Sequence, residues 1–207
     1  MRKPHAGIDT VDFESQHITY RSIWHAARVL RESAEKSNSN GFWLLMGATI
    51  LAYTAYEGFL NDVIARLFPE DWKDERTLFR TGKHRGTLGK TKYLAGKLGL
   101  HIETSKRPYC TVAELHAWRN ELVHPETVRI QGSARADAYA KKPRRAEPTI
   151  FAKLARPTFV PRCFEDVATL AGKLLKAART HNWPSVRDLG QSAFLSPTGI
   201  GGASLKR

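Results

Sequence analysis

The sequence predicts an all-α protein, one helical domain with extensions, and three observations predict it. Apolar residues recur at the 3.6-residue spacing of a helix in several segments. A long apolar run in the first third of the chain carries that rhythm well beyond its own end. Turn and breaker residues, Ser37-Asn38-Ser39-Asn40-Gly41, Pro69, Gly99 and Pro125, separate the periodic stretches. With 207 residues and 42% hydrophobic content, the chain has enough apolar surface to bury one good core.

The elements follow in order. Tyr20, Ile23, Ala27, Leu30 and Ala34 repeat along one face and predict a first helix over about residues 15 to 36. The run from Phe42 to Leu60 holds a single charge, Glu57, and approaches the roughly 20 residues that span a bilayer. A span is rejected because Glu57 would be costly in lipid and the rhythm continues through Val63, Ile64 and Leu67. The prediction is one long central bundle helix, buried on most sides, with no membrane partner. After Pro69 a polar stretch from Asp71 to Arg80 predicts a short helix, and Leu88, Ala95 and Leu98 predict another that stops before Gly99. Gly89-Lys90-Thr91 imitates the end of a phosphate-binding loop. That motif wants glycine at position 84, where the chain has His84, and no strand-like run precedes it, so nucleotide binding of that kind is dismissed.

A further helix carries the chemistry. At roughly 100° per residue, Val112, Leu115, Trp118 and Leu122 form one apolar stripe, with Arg119 inside its arc. A buried guanidinium needs a carboxylate, a second subunit or a bound anion as partner. Pro125 disfavours helical geometry at His124, so the helix should end near that residue, where the dipole favours the imidazolium. Arginine stays charged and grips phosphate; histidine moves protons near neutrality. Arg119, Asn120 and His124 are therefore the candidate catalytic group, against the competing reading of a structural arginine and a capping histidine. Glu57 lies on the margin of the central helix's apolar arc, beside Ile50, Asn61 and Ile64. It is either the partner of Arg119 or a solvated glutamate.

Residues 128 to 161 change character. Lys141-Lys142-Pro143-Arg144-Arg145, set among Gly, Ala and Pro, predicts a basic, poorly ordered insertion in which Lys141, Lys142, Arg144 and Arg145 hold an RNA backbone or an acidic partner. Phe164, Val167, Ala171, Leu174, Leu175 and Ala178 then predict an amphipathic helix that closes the bundle. The domain is taken as residues 1 to 182. From Trp183 onward Pro, Ser and Gly dominate, and residues 183 to 207 are expected to form a flexible tail.

The run Arg119-Asn120-Glu121-Leu122-Val123-His124 resembles the signature of the HEPN superfamily, an arginine and a histidine four to six residues apart with a polar residue often beside the arginine. The order of a long apolar helix, a motif helix and a downstream amphipathic helix is similar to HEPN domains over about residues 12 to 181. That resemblance implies an up-and-down bundle of four to five helices acting as a homodimer, with the two motifs facing each other. It further implies a metal-independent endoribonuclease, a toxin or antiviral-defence effector with an antitoxin or regulatory protein as a possible partner, in which Arg119 and His124 are the catalytic pair, Asn120 orients them, and Glu57 supports the arginine. The alternative it allows is a non-catalytic module that binds RNA or an acidic protein partner.

Composition agrees with a polyanionic partner. Against 20 Asp+Glu stand 33 Lys+Arg, a formal net charge of +13, which favours salt-sensitive binding to RNA. The two cysteines, Cys110 and Cys163, form no CxxC pair, and the expectation is reduced thiols in a cytoplasmic protein. The eight histidines lack clustered carboxylate or cysteine partners, so neither metal nor cofactor is expected.

Overall fold

The structure, a computed structural model, describes residues 18–37, 39–123, 156, 158–180 and 194. Every regular element among them is helical: α1 (Thr19–Lys36), α2 (Gly41–Leu67), α3 (Pro69–Lys73), a π-helical turn (Arg76–Thr81), α4 (Gly86–Lys97), α5 (Tyr109–Val123) and α6 (Phe159–Thr180). That is more pieces than four to five helices, because the stretch between α2 and α5 is divided in three. Pro69 starts α3 in its first turn, where a missing N–H costs nothing, and the wider π turn then swings Phe79 into the core.

α1 and α2 form a hairpin closed by the predicted turn, in which the Asn40 N–H donates to Ser37 Oγ at 3.0 Å. Tyr20, Ala27 and Ala34 are buried, as the spacing predicts, and Trp24 joins them. α2 is the axis of the molecule. It meets α1, α3, α4, α5 and α6, and no residue from Leu44 to Phe68 is exposed. A helix apolar nearly all round can be satisfied only by neighbours on several sides, which is the physical meaning of its weak amphipathicity. Among the described residues no helix is long and apolar enough to cross a membrane.

α6 buries all six residues of the predicted stripe, and begins earlier than expected, at Phe159. Pro161, placed by composition in the basic insertion, sits instead in its first turn, where its ring is tolerated. α5 is fastened to α6 along its length. Arg107, just before α5, donates through Nε and Nη2 to Asp166 at 2.8 and 2.9 Å and through Nη2 to Glu165 at 2.8 Å. Farther along, Arg162 donates to Glu114 at 2.7 Å, and the Trp118 and Phe159 rings lie 4.3 Å apart. These contacts hold the last turns of α5, and hence Arg119, at a set height against α2.

Of the tail expected over residues 183 to 207, all but Phe194 lies outside the described residues. Phe194 is buried, its ring 4.7 Å from Trp24, 5.5 Å from Phe59 and 5.9 Å from Tyr20. A composition dominated by small and polar residues hides this aromatic side chain, whose burial contributes several times what any neighbouring Gly or Ser does.

Candidate functional site

Arg119 and Asn120 occupy the last described turn of α5, where both are half-buried. Arg119 Nη1 donates to Asn120 Oδ1 at 3.4 Å. The Asn120 amide nitrogen lies 3.2 Å from His116 Nε2, and His116 Nδ1 shares a 2.6 Å hydrogen bond with the Tyr53 hydroxyl on α2. Tyr53 is also hydrogen-bonded by Thr87. Four side chains thus run in one line from a cation at the margin of the bundle to a phenol in its interior. Their positions follow from helical geometry: His116, Arg119 and Asn120 stand at i, i+3 and i+4 on one face of α5.

The start of α4 closes the site from a third side. Gly86, at the first position of α4, has φ +68°, and a Cβ placed there would come within 3.8 Å of His116 Cε1. Only glycine takes that left-handed turn without strain, so the chain enters α4 close against the imidazole. The loop leading in carries Lys83 and Arg85, both exposed.

Burial lowers the pKa of His116; the Glu57 carboxylate pulls it back up, and Arg119 reinforces the lowering. Burial likewise pushes Tyr53 up to about 12, the Thr87 hydrogen bond opposing, with Glu57 raising and Arg119 lowering it. At neutral pH this leaves an uncharged imidazole and an uncharged phenol beside a fixed guanidinium. Glu57 and Arg119 therefore act on the same two groups. Among the described residues no ion pair joins them, and Arg119 Nη1 meets Asn120 Oδ1. Glu57 also borders a cleft of about 340 Å³ lined by Tyr20, Thr54, Asn61 and Asp62, whose carboxylates disfavour a phosphate.

His124, Lys141, Lys142, Arg144 and Arg145 lie outside the described residues. Two participants were not anticipated from the sequence. His116 is, in the sequence, only one of eight histidines without metal-ligand partners, yet its spacing from Asn120 marks them as neighbours; Tyr53 gives no sequence signal, since its contact crosses from α2 to α5. The residues that imitate a phosphate-binding loop are structural. Lys90 is buried, donating to Asn61 Oδ1 at 2.8 Å over the rings of Trp72 and Phe79, and Thr91 donates to the Thr87 carbonyl at 2.8 Å. Compared with protein-family models, curated proteins and solved structures, the chain matches none.

Proposed function

We propose that this chain is a HEPN-like, metal-independent endoribonuclease, active as a homodimer and serving as a toxin or antiviral-defence effector. The observation that carries the reading is Arg119 at the end of the motif helix, its guanidinium held by Asn120 at 3.4 Å, with His124 five residues on. An RNA 2′-hydroxyl attacks its adjacent phosphate when one group takes its proton, another protonates the leaving 5′-oxygen, and a cation stabilises the phosphorane. In this reading His124 handles the protons, Arg119 stabilises the charge and Asn120 orients the arginine. A dimer supplies two histidines and two arginines to one scissile bond. The net charge of +13 supports RNA as the partner.

The test is incubation of wild-type protein and a folded His124→Ala variant with labelled single-stranded RNA and DNA in excess EDTA. Cleavage of RNA by the wild type alone, leaving 2′,3′-cyclic phosphate ends, is expected. DNA lacks the attacking hydroxyl, so equal cleavage of DNA rules the mechanism out. RNA bound but uncut favours the binding module, and an Arg119→Ala variant that fails to fold favours a structural arginine.

A further inference from the structure

We infer that His116 is a positioning residue for Arg119: held neutral with its proton on Nδ1, it fixes the Asn120 amide with the oxygen turned toward the guanidinium. The inference deepens the ribonuclease reading and rests on it for its consequence, but the geometry that carries it is independent of RNA.

A guanidinium has only donors, so the Asn120 atom facing Arg119 Nη1 at 3.4 Å has to be the amide oxygen. The amide nitrogen then faces His116 Nε2 at 3.2 Å and has to donate. Nε2 is therefore an unprotonated acceptor, and the single proton of the neutral ring resides on Nδ1. From there it is donated to the Tyr53 oxygen at 2.6 Å. With Asn120 so oriented, each of the three links from Arg119 to Tyr53 has one donor and one acceptor.

Protonation of His116 would put Nε2–H against the Asn120 NH₂. The amide would have to turn over, presenting NH₂ to Arg119 and releasing the guanidinium from its only fixed oxygen in this line. The groups facing the ring are Tyr53 and Glu57 from α2 and Arg119 from its own helix, while α4 offers Gly86 and the uncharged Thr87. Glu57 favours the imidazolium and Arg119 opposes it, in a site whose burial favours the neutral ring.

The decisive measurement is the long-range ¹H–¹⁵N imidazole spectrum of the ¹⁵N-labelled full chain near neutral pH, with His116 assigned by its loss in His116→Gln. A protonated Nδ1 and bare Nε2 are expected. A proton on Nε2, alone or as imidazolium, overturns the inference whatever the enzyme does. Two variants read the consequence in RNA cleavage. Gln at position 116 still offers Asn120 an acceptor oxygen, so His116→Gln should keep kcat within a few-fold, whereas His116→Leu should lose about tenfold or more in kcat with little change in KM. Equal loss in both variants, with both folded, overturns the positioning role. If wild-type protein cuts no RNA, the ribonuclease reading fails, and the tautomer still decides whether His116 sets Asn120.

Discussion

His116 illustrates how much one side chain's surroundings decide. On an exposed helix it would titrate freely; here burial holds its pKa below the ordinary histidine value of about 6.5. The sign of the consequence follows by linkage. In the window from about 6.5 down to the lower folded value, the unfolded chain binds a proton that the folded chain does not, so stability rises with pH there. The contribution is complete above about 6.5 and is lost as pH falls through the folded pKa. Denaturant melts at stepped pH should show wild type losing stability toward acid relative to His116→Gln, which has no such proton to take up. Parallel curves for the two proteins would show that His116 titrates normally. Arg119 and Asn120 were legible because a charge inside an apolar stripe is conspicuous in any helical register. Their hydrogen-bond partners were less so, since tautomers and amide orientations are set by three-dimensional neighbours.

Among the elements, α2 and α6 could be read from their spacing because each is long and its apolar residues sit at the period of a helix. The segment between α2 and α5 was harder. Its polar residues give little periodicity, and its shape is set by contacts such as Gly89, where a Cβ would lie 2.2 Å from the His84 backbone. Phe194 marks a different limit. Its neighbours Tyr20, Trp24 and Phe59 come from the α1 and α2 hairpin, more than a hundred residues earlier in the chain. Phe194→Ala should destabilise the fold by about 3 kcal/mol or more, the range for removing a buried phenylalanine. A change within about 0.5 kcal/mol in urea unfolding, the scale of surface substitutions, would show that residue 194 belongs to a solvated tail.

The whole molecule combines a large positive charge with a long-range polar line at one end of a motif helix. On the proposed function the charge acts through RNA phosphates and the line through Arg119. The two contributions separate by salt. Neutralising Lys141, Lys142, Arg144 and Arg145 to Gln should flatten the log–log salt dependence of RNA binding by up to about 3, taking roughly 0.7 per phosphate contact on a single strand. An unchanged slope would remove the basic insertion from the RNA surface and leave exposed cations such as Lys83 and Arg85 as the better candidates.

Helical class, the central place of α2 and the prominence of Arg119 and Asn120 are properties of local order: apolar spacing, breakers and a charge out of place can be read along one dimension. Free cysteines also follow from such reading, and both Cys110 and Cys163 are free. The partners of those residues are another matter. Whether Arg119 meets Glu57 or Asn120, whether His116 is a surface group or a neutral acceptor tied to Tyr53, and whether Phe194 is solvated or buried all depend on atoms far apart in the chain. Folding brings α2, α4 and α5 together within hydrogen-bond distance, and at that range burial and geometry, rather than residue type, determine which proton sits where.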